Sequence, residues 1–229
     1  MPAPSPDRRR PLFARFYAWV SPRMDDEGMG ELRDELLADV HGRVVEVGAG
    51  NGMNLRRYPP AVTEVVAVEP EPYLRRLAEE TAHTAPVPVT VVPGTADSLP
   101  LRTASVDVGV VSLVLCSVPD QRAAVAELHR VIRPGGELRF LEHVVAQSAW
   151  LRRVQRTVDA TVWPLVAGGC HTARDALGVI EDVGFEVTSV RRLRFPDSRV
   201  PVPAAPHVLG VARRRHASGT VSRRDRGPW

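Results

Sequence analysis

Apolar residues at positions 12, 13, 16, 17 and 20 recur at the helical period, which predicts an amphipathic first helix. A second helix is expected from about Gly30 to Val40. The pattern then changes to short valine-rich runs with little polar alternation, as expected of strands buried on both faces. These runs are Arg43–Val47, Glu64–Glu69, Val87–Val92, Val106–Val111 and Glu137–Leu141. Helical stretches separate them: Pro72–Ala82, then a helix capped by Asp120 with apolar positions 124, 125, 128, 131 and 132. Arg133-Pro134-Gly135-Gly136 should stop that helix and turn it into the fifth strand. Strand–helix alternation of this kind predicts a doubly wound, mostly parallel α/β sheet.

Beyond Glu142 and His143 the period becomes helical again. Trp150, Leu151, Val154, Val158, Val162, Trp163 and Leu165 place one broad apolar face on a single helix over 149–166. Lying between sheet strands, it suits a lid or substrate wall. Gly168-Gly169-Cys170-His171 breaks it, Thr172–Val183 is expected to be helical, and two more strands begin near Gly184 and span Pro206–Ala212.

Composition narrows the class. The 229 residues are 44% hydrophobic, enough for one substantial core. Every basic residue is Arg, the net charge is only +3, and much of the excess sits in Arg8–Arg10, Arg213–Arg215 and Arg223-Arg224. Solvated basic tails explain that pattern without a nucleic-acid partner, and residues 1–10 and 214–229 are expected to be disordered. Cys116 and Cys170 stand far apart in the sequence, so neither a disulfide framework nor a C-x-x-C metal site is expected. No apolar run approaches the roughly 20 residues of a membrane span. The twin arginines near the start lack an uninterrupted apolar region behind them. The expectation is a cytoplasmic protein with at most weak peripheral membrane contact. No feature specifies an oligomeric state.

The chemistry centres on Arg43–Gly52, a strand ending in an acid and breaking into Gly48-Ala49-Gly50-Asn51-Gly52. Such a turn after the first parallel strand is where nucleotide-like ligands bind. A dinucleotide site wants G-x-G-x-x-G, but Met53 occupies the third glycine's place. Glu46 would repel a pyrophosphate and pair instead with a cationic ammonium. Glu69 follows at the end of the second strand, near the spacing at which an acid meets ribose hydroxyls. The E-x-G-x-G-x-G string resembles the first motif of class I methyltransferases that use S-adenosylmethionine (SAM).

Further strings sharpen that resemblance. Residues 54–60 (NLRRYPP), 113–118 (LVLCSV), 130–136 (RVIRPGG), 140–144 (FLEHV), Gly169-Cys170 with Arg174, and 206–210 (PHVLG) resemble the animal methyltransferase-like alkyl thiol S-methyltransferases. More distantly they resemble the ubiquinone and menaquinone methyltransferases. The match runs from about 12 to 213. It implies a Rossmann-like, seven-stranded sheet closed by an antiparallel C-terminal hairpin, with helices on both faces and lids at 11–40 and 145–170. It also implies methyl transfer from SAM to a small apolar thiol, leaving S-adenosylhomocysteine. Around the cofactor the implied residues are Tyr17, Glu46, Gly48 to Gly52, Glu69, Pro70, Thr95, Ala96, Asp97, Ser112, Leu113 and Val114. Thr95 stands where the family usually has an acid. The animal proteins carry an N-terminal membrane anchor with no counterpart here.

A thiol near pKa ~8.5 is only a few per cent thiolate at neutral pH. A base or a nearby cation is therefore expected: His143 first, oriented by Glu142, then His171 and Arg174. No metal-binding motif is seen. Rival readings are O-, C- or N-methylation of a quinone, phenolic or amine metabolite, and a SAM-binding protein without turnover.

Overall fold

The computed structural model of the protein describes residues 10–161, 163–197 and 202–215. A first helix, α1 (Pro11–Met24), runs through a tight π-type turn (Asp25–Met29) into α2 (Gly30–Leu37). The alternating core follows as β1 (Gly42–Val47), β2 (Val62–Val68), α3 (Pro72–Ala82), β3 (Val89–Val92), β4 (Val106–Ser112), α4 (Gln121–Val131) and β5 (Ile132–His143). Next come α5 (Ala149–Asp159), α6 (Trp163–Val166), α7 (Ala176–Val183), β6 (Phe185–Arg194) and β7 (Pro206–Arg214).

One seven-stranded sheet results, in the order β3-β2-β1-β4-β5-β7-β6. The first five strands are parallel, and β7 inserts antiparallel between β5 and β6. The expected fold class is therefore observed. Chain order reverses between β1 and β4, so the crevice at their carboxyl ends is the topological switch point where this class of sheet binds ligands. Alternate strand residues feed two cores. Val45, Val47, Val66 and Val68 face α4 and α7. Val44, Val65 and Ala67 face the other way, against Leu36, Leu37 and Tyr58. Burial on both faces is why these strands read as continuous valine runs.

Several boundaries differ from expectation for local reasons. The stretch at 149–166 is not one helix. It stops at Asp159, whose carboxylate accepts hydrogen bonds from the amides of Thr172 and Ala173 and so ties down the helix end. Val162 lies outside the described residues. Helix α7 starts at Ala176 rather than Thr172, because Asp175 caps it through the Gly178 amide. The Arg133–Gly136 turn is part of β5, which pairs from Ile132 onward across a register shift. Helix α2 ends at Leu37, short of Val40.

Arg10 is described, and Arg214 ends β7 while bonding the Ile132 carbonyl. Residues 1–9 and 216–229 lie outside the described residues. Among the described residues no helix is long and apolar enough to cross a membrane.

Candidate active site

A cleft with a volume of about 170 Å³ opens at the carboxyl ends of β1, β2 and β4. Its floor is the glycine turn after β1. Gly48 has φ +69°, and a Cβ there would lie 2.6 Å from Val114 Cγ2. Only glycine satisfies both the left-handed backbone and the close approach. Gly50 donates its amide to Glu69 Oε2 at 2.8 Å, while Glu69 Oε1 accepts from the Glu71 amide at 2.9 Å. Burial raises the Glu69 carboxyl to about 7 against the pull of those two amides. Each carboxylate oxygen has a second lone pair, so Glu69, which lines the cleft, retains acceptor capacity there.

The expected set around the cofactor divides in two. Tyr17, Gly48, Gly50, Glu69, Pro70, Thr95, Ala96, Asp97, Ser112, Leu113 and Val114 all line this cleft. Glu46, Ala49, Asn51 and Gly52 do not. Glu46 is buried, accepting from Asn54 Nδ2 at 2.9 Å and the Tyr58 hydroxyl at 2.7 Å, and burial lifts its carboxyl to about 7. Both Glu46 oxygens are engaged in a buried network, and Glu46 does not line the cleft. Arg33 continues that network, donating to Asn54 Oδ1, Ser112 Oγ and Asp25 Oδ1. It thereby fastens α2 and the π-type turn to the floor. Asn51 donates to Ser21 Oγ at 2.9 Å and so anchors α1. Ala49 packs into the core. Gly52 leaves room for Thr81 and Leu55.

Past β4, Leu113 has φ 60°, a left-handed conformation rare for a branched side chain. Such backbone strain persists only where its surroundings over-determine it. Here they do. The Leu113 amide donates to the Leu141 carbonyl at 2.8 Å. The next three amides, of Val114, Leu115 and Cys116, converge on the fully buried Glu142 carboxylate at 2.8, 3.0 and 3.4 Å. Burial raises that carboxyl to about 7. Glu142 therefore holds the loop that forms the cleft wall, rather than gripping the His143 ring as expected.

The four expected catalytic side chains all lie off the cleft surface. Arg174 donates to the carbonyls of Leu115 and Val118 and clamps the same loop. His171 bonds the Gly169 carbonyl through Nδ1, and its amide donates to the Cys116 carbonyl. His143 Nδ1 lies 3.4 Å from Cys170 Sγ, with its ring edge-on to His207. The two cysteines, distant in sequence, are brought together here. Cys116, His143 and Cys170 place one sulfur or nitrogen each within 4.8 Å of one another. The thiol pair splits: contact with Cys116 and the neighbouring His143 lowers Cys170, whereas contact with Cys170 and burial raise Cys116.

Several cleft residues went unread in the sequence. Phe13 stacks on Tyr17 one helical turn away, and the two form a roof with Gly168. Their spacing of four on one helix face was the available signal. Glu71 caps α3 through the amides of Tyr73 and Leu74 and also lines the cleft. Its place before Pro72 was legible as a helix start. Ser117 and Val118, at the mouth of β4, also line the cleft, and Arg10, Leu74 and Pro119 complete the walls without any local signal. Among the described residues, the charged groups lining the cleft are Glu69, Glu71, Asp97 and Arg10. Three acids against one cation suit a positively charged nucleoside such as SAM and disfavour a pyrophosphate, and the Cβ-free floor leaves space for it.

Comparison with known proteins agrees with that chemistry. The methyltransferase-domain family matches residues 45–140. The thiol S-methyltransferase TMT1B of Homo sapiens is 33% identical over 213 residues, covering 87% of this chain and 85% of the relative. TMT1A of Homo sapiens is 34% identical over 174 residues, covering 74% and 69%. The ubiquinone/menaquinone biosynthesis C-methyltransferase UbiE of Rubrivivax gelatinosus is 30% identical over 156 residues, covering 68% of this chain and 57% of the relative. Among solved structures, a SAM-dependent methyltransferase of Thermotoga maritima superposes with a TM-score of 0.63 at 22% identity, covering 89% and 98%. The cyclase SpnF superposes at 0.65 with 16% identity, covering 88% and 94%. At such identities the likeness shows the fold alone.

Proposed function

The chain belongs to the SAM-dependent methyltransferases, in the family that includes the animal thiol S-methyltransferases, and from that premise we propose that its acceptor is a small apolar thiol. The observation that carries this reading is the extent of the relationship to TMT1B. At 87% of the chain it reaches well beyond the 45–140 domain.

SAM supplies an electrophilic methyl on a sulfonium. The protein's part is to bind, align and dry. Glu69 takes the ribose hydroxyls with its remaining lone pairs, Thr95 to Asp97 border the adenine, and Ser112 to Val114 border the methionine portion. Phe13 and Tyr17 on α1 act with α5, α6 and Gly168 as an apolar lid that excludes water from the sulfur nucleophile. The reducing cytosol is the proposed compartment, and it suits the two buried free cysteines.

The test is methyl transfer from labelled SAM to a panel of small thiols, sulfide, phenols, quinones and amines. Labelling of thiols is expected. Labelling confined to phenols, quinones or amines would overturn the acceptor assignment and retain the methyltransferase. Tight SAM binding with no labelled product would favour a SAM-binding protein without turnover.

A further inference from the structure

Four segments converge behind the acceptor wall. Cys116 lies on the loop after β4, His143 ends β5, Cys170 follows the Gly168-Gly169 break, and His207 opens β7. The first three offer two sulfurs and one imidazole nitrogen, all within 4.8 Å. A tetrahedral zinc ion with Zn–S of about 2.3 Å and Zn–N of about 2.0–2.1 Å sets its ligand atoms roughly 3.4–3.8 Å apart. Cys170 Sγ and His143 Nδ1 already stand 3.4 Å apart. Both cysteines are buried and unbridged.

The cluster is held rigidly. Glu142 fixes the Cys116 amide, Arg174 clamps the loop carbonyls on either side, and the His171 amide bonds the Cys116 carbonyl. His207 donates Nδ1–H to the Ala205 carbonyl at 2.8 Å, leaving Nε2 as a buried lone pair without a partner. Its ring lies 4.3 Å from that of His143. A metal-bound imidazole needs such an acceptor for its outer N–H, and His207 is the neighbour placed to become one.

We propose that Cys116, Cys170 and His143 form a mononuclear zinc site whose fourth position takes the acceptor thiol. Two cysteines and one histidine are a donor set that catalytic zinc uses with its fourth position open. Cys116 Sγ touches Ser117 Oγ at 3.4 Å, and Ser117 lines the cleft, so the cluster abuts the acceptor end of the cavity. Zinc binding lowers the pKa of a coordinated thiol, so R–SH loses its proton to solvent and its sulfur binds the metal as a thiolate. That sulfur then forms the S–CH3 bond as the methyl–sulfonium bond of SAM breaks, with the electron pair going to the homocysteine sulfur. The neutral thioether is a weak ligand and leaves. This role rests on the thiol reading above and supplies activation of the acceptor sulfur by the metal.

The experiment is metal titration of the purified full chain, first with Zn2+ and then with Co2+ as a spectroscopic probe, in a non-thiol reductant. One equivalent of Co2+ should bind, with the thiolate-to-cobalt charge-transfer band and tetrahedral d–d bands. Cys116→Ser and Cys170→Ser should each reduce the charge-transfer intensity. His143→Ala should weaken binding by more than the roughly 10–100-fold typical of an outer-shell change. Titration of SAM binding in each variant reports that the fold persists. A small thiol should shift the cobalt bands, whereas a phenol should not.

Failure of a SAM-binding chain to take up either metal overturns the site, as does ready formation of a Cys116–Cys170 disulfide in a metal-free chain that still methylates thiols at full rate. Cobalt bands that ignore added thiol overturn the acceptor role. Metal bound by these three residues in a chain that methylates only phenols keeps the site and sinks the thiol reading instead.

Discussion

The two walls of the cleft, which we propose face the cofactor and the acceptor, are built differently. The cofactor wall is assembled from short turns at strand ends: Gly48 to Gly50 after β1, Glu69 to Glu71 after β2, Thr95 to Asp97 after β3. Its polar groups find partners close by, as where Glu69 accepts from Gly50 and Glu71. The acceptor wall draws on α1, the loop after β4 and the break after α6, with Phe13 reaching Gly168 across most of the sequence. Its supports are long-range: Glu142 to the Val114–Cys116 amides, Arg174 to Leu115 and Val118. A local turn survives drift elsewhere in the chain, whereas a wall of distant segments depends on every tether.

Removing the main tether of the acceptor wall should do most damage. Glu142→Ala leaves three backbone N–H groups without their acceptor, two of them in buried contacts. At about 1–3 kcal/mol per unsatisfied buried group, a loss of roughly 3–5 kcal/mol in unfolding free energy is expected. Urea denaturation monitored by circular dichroism checks it. A loss below about 1 kcal/mol would mean that the loop is held by Arg174 alone.

The buried carboxyls also impose a pH dependence on the ligand-free protein. Glu46, Glu69 and Glu142 are raised from 4.5 to about 7. Between those limits the folded state holds more protons than the unfolded state, so these groups make stability fall as pH rises. His207, lowered to about 3, acts oppositely between 3 and 6.5, and Cys170, lowered to about 5, acts oppositely between 5 and 9; together they offset part of the three carboxyls below pH 7 and outlast them above it. Stability should therefore decline from pH 5 to pH 7, by on the order of a few kcal/mol, and level off above that. Glu142→Gln should flatten the decline. Thermal melts across that range read both effects, and stability rising with pH would contradict the assignment of the three groups.

Substitutions confined to one wall should separate binding from acceptor handling. Glu69→Gln replaces an acceptor oxygen by a donor amide on the cofactor side. A charged hydrogen bond worth about 1.5–3 kcal/mol predicts SAM affinity about 10- to 100-fold lower. Calorimetric titration measures it, and the urea midpoint should move little. Gly168→Ala acts on the other wall: the residue has φ +63°, and a Cβ there would overlap the Phe13 ring. Displacing the roof should lower kcat/KM for the acceptor about tenfold, a barrier change of ~1.4 kcal/mol, with a smaller change in SAM affinity. Equal losses in both would mean that the two walls move as one.

Much of the cofactor wall was legible because its signals are local. Valine runs marked strands buried on both faces, and a glycine turn behind an acid marked the switch point. The 23-residue step from Glu46 to Glu69 marked a second strand end. The sequence did not announce that Tyr58 and Asn54 would also donate to Glu46.

Sequence by itself determined the element types, the parallel sheet and the position of the ligand crevice, because periodicity, caps and glycine turns act over a few residues. Only tertiary structure decided that Glu142 serves the β4 loop, that Arg174 clamps it, and that Cys116 meets Cys170 and His143. Those roles depend on β5 lying beside β4 and on the segment after α6 folding back across the loop. Such juxtapositions come from closing the whole sheet, and no window of sequence contains both partners.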